Sequence, residues 1–168
     1  RYAHGLEQRV HERTLELHKA NMEAIYMLAV ASEAKDLDTG AHVRRIERYT
    51  QLLAGEMGLP AKEAERMGYS AILHDVGKIQ VADDILRKPA ALSEDEWTIM
   101  RQHPIIGERI LSREPFFEVA RSIARNHHEN WDGSGYPDGL RAKDIPLAAR
   151  IVRVADVYDA LTTLRPYK

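Results

Sequence analysis

"YSAILHDVGK" (residues 69–78) is an apolar run that closes on a histidine next to an aspartate, with a lysine three positions further on. Alone, the pair has an ordinary explanation, because a helix-end histidine often does no more than meet the negative pole of the helix dipole. The reading turns on whether the rest of the chain supplies partners. Working outward, the apolar residues recur at helical spacing, and no stretch alternates with the period of a strand.

Upstream, residues 5–35 read as one long helix, polar in its first half and apolar in its second, "MEAIYMLAVASEA". Leu6, Val10, Leu17, Ala20, Ala24 and Met27 approximate a 3-4 repeat that Arg13 interrupts, so the first half reads as a linker or coiled-coil helix. A second helix is predicted from Gly40 to Met57, stopped by Gly58 and Pro60, and a third from Ala61 to Asp75. Downstream, Ser93 and Glu96 form a capping box that starts a helix at Glu94. Pro104 and Pro115 suit the first turns of two more, running to about Ser112 and about Glu129. "NWDGSGYPDGLRAKDIP" (residues 130–146) is a loop by its glycines and prolines, and a last helix spans Leu147–Thr163. The fold class that follows is an all-α helical bundle behind a long N-terminal helix.

Composition narrows the chemistry. The 168 residues carry 44% hydrophobic and 30% charged side chains and a net charge of −2, which gives no bulk basic field for DNA or membrane binding. No apolar run approaches the length of a membrane helix. The opening "RYAHGLEQRV" reads as a cut into a longer chain. There is no cysteine, which excludes disulfides, thiolate metal sites and cysteine nucleophiles and suits a cytoplasmic location. Any metal must therefore be held by His, Asp and Glu.

Of the 8 histidines, His4, His11 and His18 repeat every seven residues among charged neighbours and read as a solvated face. The other five fall at helix ends: His42 four residues after Asp38, His74 beside Asp75, His103 before Pro104, and the pair His127-His128 before the glycine-rich loop. Asp156 lies mid-helix among apolar neighbours, where an unpaired carboxylate would be costly. Singly, each of these suits a cap or a satisfied core group; together they are a donor set for divalent ions. Two such ions make water nucleophilic at neutral pH and neutralise phosphoryl oxygens. Lys78, three residues after Asp75, is placed to meet a phosphate oxygen as a point charge.

With these residues in place, "HDVGK" resembles the HD metal-dependent phosphohydrolases, and "HHENWDGSGYPDGL" resembles their HD-GYP subfamily. "DLDTGAHVRR", "MRQHPIIGERIL" and "IPLAARIVRVADVYDALTTLRPYK" continue the likeness, which covers roughly Ala31–Lys168. The resemblance implies a linker helix over 1–30 and a phosphohydrolase domain of the HD type over 31–168, ending before the family's further helices. It implies a metal-dependent phosphodiesterase that hydrolyses cyclic di-GMP to linear pGpG, with further cleavage to GMP left open, as the output domain of a bacterial signalling protein. Two or three divalent ions are implied, Fe or Mn first and Zn, Ni, Co or Mg after them. By position, His74, Asp75, His103, His127, His128 and Asp156 match the family's ligands, with Asp75 bridging. His42 and Asp38 match the third-ion position. Lys78 matches the phosphate-side lysine. Gly135, Tyr136 and Pro137 match the loop that shapes the guanine side of the pocket. Arg165 and Lys168 match a phosphate-binding pair, and Asp159 a further pocket residue. Partners implied are cyclic di-GMP, a second copy through the N-terminal helix, and an upstream receiver or sensor domain. Asp38 stands where three-metal members carry Glu, and Ala82 and Ala90 replace a Pro and a Gly. The alternatives are a catalytically weak nucleotide-binding or protein-interaction module and an HD hydrolase of another phosphoester.

Overall fold

A computed structural model describes residues 2–33 and 40–163, the side chains of 2–4 excepted. Among the described residues every regular element is helical: α1 (Tyr2–Glu33), α2 (Gly40–Glu56), α3 (Ala61–Ala71), α4 (Asp83–Leu86), α5 (Glu94–Met100), α6 (His103–Ile110), α7 (Glu118–Asn126) and α8 (Leu147–Thr162). Three short 3-10 turns, Val76–Gln80, Pro115–Phe117 and Ala142–Asp144, join them. No described helix is long and apolar enough to cross a membrane.

Two apolar clusters fill the bundle. One joins Ile46 and Ala54 of α2, Ala64 and Met67 of α3, Ile123 of α7, and Ile151, Val152 and Ala155 of α8. The other joins Ala29 of α1, Val43, Ile72, Leu73, Val76, Leu111, Ala120 and Ala124. His42 near the start of α2 and His127 just past the end of α7 leave these same helices, so the packing that fixes the helices also fixes the side chains they carry.

α1 divides by packing. Residues 5–20 are exposed throughout, while Ile25, Tyr26, Ala29 and Val30 pack on the core. The Tyr26 hydroxyl donates to the Gly40 carbonyl at 2.9 Å, which ties α1 to the start of α2. The capping box at Ser93 is present: Ser93 N–H donates to Glu96 at 2.7 Å, and Glu96 N–H to Ser93 Oγ at 3.3 Å.

One boundary differs from expectation in a way that matters. The third helix stops at Ala71, four residues before Asp75, and the chain passes through turns into the 3-10 segment Val76–Gln80. Gly77 accounts for this. A Cβ there would lie 1.9 Å from the His103 carbonyl oxygen and 2.6 Å from Gly107 N. Only a glycine lets the "HDVGK" backbone lie directly on the start of α6, and a continued α-helix would carry it elsewhere. His74 and Asp75 are therefore set by turn geometry instead of by neighbouring helix positions.

Candidate metal centre

Residues 71–77 are buried without interruption. Within that segment the His74 ring is turned so that Nδ1 meets the Ala71 carbonyl at 2.9 Å. His103 repeats the arrangement with Met100 at 2.8 Å, and His127 with Ala124 at 3.0 Å. Each carbonyl closes the turn or helix just before its histidine, and can only accept. Each Nδ1 therefore carries the proton and donates it, which leaves the Nε2 lone pair facing inward. His42 is oriented by a carboxylate instead: its Nδ1 lies 2.8 Å from Asp159 Oδ2.

These inward nitrogens converge on Asp75. Its Oδ1 lies 3.1 Å from His103 Nε2 and 3.4 Å from His127 Nε2, and its Oδ2 lies 3.2 Å from His74 Nε2. The two imidazole nitrogens of His103 and His127 are 3.5 Å apart. With both tautomers set by carbonyls, this packs acceptors against acceptors, which only a cation or an extra proton relieves. Burial pushes the Asp75 carboxyl upward, but Lys78 and His74 outweigh it and hold the group well below the usual carboxylate range. Lys78 Nζ is 2.8 Å from Asp75 Oδ2. Burial alone would lower the His74 imidazole, yet the Asp75 charge beside it raises it to about 9. Burial pushes both His127 and His128 below the ordinary histidine range.

The donors form two groups. In one, ligand atoms of Asp75, His103, His127 and His128 all lie within 4.8 Å of one another; in the other, those of Glu33, His42 and His74 do. Asp75 stands between them, one oxygen towards each. Three buried atoms in this cluster have no hydrogen-bond partner: Glu33 Oε1, His74 Nε2 and Asp75 Oδ1. Two bare carboxylate oxygens and an imidazole nitrogen that can give up its proton, at the centre of a histidine–carboxylate cage, fit divalent ions of borderline or hard character.

The expected residues do not all arrive where position alone would put them. His42, His74, Asp75, His103, His127 and His128 come together. Asp156 lies beside them, its Oδ1 4.0 Å from His42 Nε2. Asp38, Arg165 and Lys168 lie outside the described residues. Asp159 is fully buried and is held by His42 and by two nitrogens of Arg45, so it has no surface with which to meet a substrate. It is a positioning residue: Asp156 and Asp159 share a helix face, and the second lies behind the imidazole that the first accompanies.

Glu33, unread in the sequence, is the carboxylate that reaches His42. It is 2% exposed at the last position of α1. Burial raises its carboxyl, with Lys78 opposing. A signal was present, since it is the one acid in the apolar stretch "MLAVASEA".

A cavity of about 260 Å³ opens above the donors. Glu33, His42, Asp75, Lys78, His103, His128 and Asp156 line its floor, and Leu86, Leu92, Trp97, Met100, Tyr136 and Ala160 its walls. Tyr136 stacks on His128, with centroids 4.7 Å apart and planes 17° from parallel. Burial and the nearby Asp75 push its phenol up to about 12, so it stays a neutral donor. Gly135 and Pro137 do not line the cavity. Gly135 is required by the backbone: a Cβ would lie 2.3–2.5 Å from Asn130 N, Glu129 Cα and the His128 carbonyl. The loop is held from beneath by Glu129, also unread in the sequence, which accepts from the backbone N–H groups of Asp138, Gly139 and Leu140 at 2.8, 3.1 and 3.0 Å.

The HD domain family matches residues 27–168. Among curated proteins, a 3′3′-cGAMP-specific phosphodiesterase 2 of Vibrio cholerae is 46% identical over 156 residues, covering 92% of this chain and 30% of its own length. The cyclic di-GMP phosphodiesterase response regulator RpfG of Xanthomonas campestris is 45% identical, covering 98% of this chain and 44% of its own length. A cyclic di-GMP phosphodiesterase of Thermotoga maritima is 42% identical, covering 97% and 45%. The chain thus spans less than half the length of these relatives. Among solved structures, Bd1817, an HDG"Y"P protein from Bdellovibrio bacteriovorus, superposes with a TM-score of 0.63 at 26% identity, over 76% of this chain and 42% of that one.

Proposed function

Because this chain belongs to the HD domain family, in its HD-GYP branch, we propose that it is the catalytic segment of a phosphodiesterase acting on cyclic di-GMP. The observation that carries the reading is Asp75, which offers Oδ1 to the Nε2 atoms of His103 and His127 and Oδ2 to that of His74, and so stands between two groups of donors. The HD domain implies divalent metal. His103, His127 and His128 with Asp75 would hold one ion, and His74 and His42 with Glu33, Asp156 beside them, a second. A third position is expected to rest on Asp38 and His42, of which His42 lies among the described residues. The family resemblance puts Fe or Mn first and Zn, Ni, Co or Mg after them; the nitrogen- and oxygen-only donor set does not choose among them. When bound, such ions lower the pKa of water and neutralise phosphoryl charge.

The chain's own groups do the rest. Asp75 and the imidazoles fix the floor, and four Nδ1–H hydrogen bonds hold the rings to their tautomers. Lys78 keeps Asp75 ionised and brings positive charge to the cavity. Arg165 and Lys168 are the expected partners of the outer phosphate. The reaction is in-line addition of water to phosphorus with departure of the 3′ oxygen, giving linear pGpG and, in a second round, GMP. The phosphohydrolase domain occupies 31–168 behind a linker helix over 1–30, in a cytoplasmic protein with an upstream receiver or sensor domain. Leu6, Val10 and Leu17 on α1, 54%, 57% and 63% exposed, support pairing with a second copy.

The test is the double variant His74→Ala/Asp75→Ala. It should keep its helical circular dichroism, lose bound metal, and lose turnover of cyclic di-GMP by about 10³-fold or more. Normal turnover by the metal-free variant would end this reading. The 46% identity to a 3′3′-cGAMP-specific enzyme favours one second reading, in which the preferred ring carries an adenine in place of one guanine. Product chromatography with both cyclic dinucleotides separates the two.

A further inference from the structure

The relatives differ in the base they are named for, so something near the cavity must tell guanine from adenine. We propose that Arg101, whose guanidinium lies over Trp97 and Tyr136, two rings that line the cavity, reads the base of the bound dinucleotide and selects guanine. This rests on the cyclic-dinucleotide reading above.

Three observations converge on Arg101. Its guanidinium carbon lies over two aromatic rings, 5.6 Å from the centroid of Tyr136 and 5.7 Å from that of Trp97. Both rings line the metal cavity, Tyr136 stacked on His128 at the floor and Trp97 43% exposed at the wall. The side chain is itself exposed, and no carboxylate among the described residues pairs with it. Arg45 is committed to Asp159, and Arg125 to Glu108 and Asp138, while Arg153 donates to the Asn130 side-chain carbonyl at 3.1 Å and lies over neither ring.

The chemistry then discriminates. A guanidinium over ring faces keeps its in-plane N–H donors for a ligand. Guanine presents two acceptors, O6 and N7, which match that fork. Adenine presents N7 beside an N6 amino donor, which opposes it. Trp97, by contrast, offers a face to any base, because stacking is tolerant of sequence. Trp97 thus contributes affinity and Arg101 selectivity.

The experiment compares wild type with Arg101→Gln and Arg101→Lys, both metal-loaded. Substrates are cyclic di-GMP, 3′3′-cGAMP, cyclic di-AMP and bis(p-nitrophenyl) phosphate, a diester without a base. Where turnover of a dinucleotide is too slow to follow, its inhibition constant against the base-free diester is read instead. Arg101→Gln should lower kcat/KM for cyclic di-GMP roughly 5- to 100-fold, the worth of one bidentate base contact. Cyclic di-AMP and the base-free diester should stay within about twofold. Arg101→Lys keeps the charge and loses the fork, so its guanine-to-adenine ratio should fall as well. Equal losses on all three dinucleotides, repaired by Lys, would show a phosphate contact and overturn the proposal. So would unchanged selectivity, or a matching loss on the base-free diester. A wild type that cleaves the base-free diester and neither cleaves nor binds any dinucleotide would sink the substrate class as well.

Discussion

Glu33 and Glu129 are buried alike, each 2% exposed, in opposite circumstances. Glu129 sits beneath the Gly-Tyr-Pro loop and takes three backbone N–H groups on its two oxygens. Glu33 closes α1 among His42, His74 and Lys78 and leaves Oε1 without a partner. A buried carboxylate that is fully hydrogen-bonded stabilises the fold around it; one with a bare oxygen costs stability until something positive arrives. The difference separates the part of the molecule that builds the site from the part that fills it.

The largest effect should fall on the builder. Glu129→Ala strands three N–H groups of a folded loop, which costs on the order of 3–5 kcal/mol. Urea unfolding of the metal-free protein reads this directly. Glu33→Gln removes charge where the fold does not need it, so metal-free stability should hold or rise. Instead the ion that Glu33 helps to hold should bind about 100-fold more weakly, read as metal equivalents retained through dialysis. If Glu33→Gln unfolds as readily as Glu129→Ala and keeps its full metal complement, the contrast collapses and Glu33 is only a structural residue.

Asp159→Asn sharpens the same line one step further out. The side chain orients His42 without reaching the cavity, so the fold should survive. Affinity for the ion near His42 should fall about 10- to 100-fold, measured by competition with a chelating dye. Unchanged affinity would mean that Arg45 and the surrounding packing already hold the ring.

Much of this was legible beforehand, for identifiable reasons. Helix-end histidines announce themselves because turns and helix ends are where side chains leave the packed faces; hence His74, His103, His127 and His128. The bundle was legible from period and punctuation, down to the Ser93 capping box. What escaped depended on contacts between distant segments. Gly77 looks like any glycine until α6 is laid against it. Glu33 fell in the apolar half of α1 and went unremarked, because nothing local says that its carboxylate turns towards His42. That Asp159 meets the outer side of the His42 imidazole was not legible, since a position in a motif gives a helix face but not which side of a ring that face meets. Glu129 was overshadowed by the histidine pair it follows.

The smallest effect to read, and the most direct on the centre itself, is protonic. In the metal-free protein the Asp75 charge holds a proton on His74, raising it from the ordinary 6.5 to about 9. That proton stabilises the metal-free fold fully below about pH 6.5, and the contribution is lost as pH rises through about 9. Metal needs the same nitrogen deprotonated. Between those limits, apparent affinity at the His74 position should climb by up to about tenfold per pH unit, and each ion bound there should release about one proton. Calorimetry in buffers of different ionisation enthalpy counts the protons released. Glu33→Gln, acting only through charge at a distance, should leave that count near one; Asp75→Asn, which removes the carboxylate responsible, should bring it close to zero at pH 8. An unchanged count in Asp75→Asn would mean that the proton belongs elsewhere in the cage, and that Asp75 does not set the charge state of both halves of the centre.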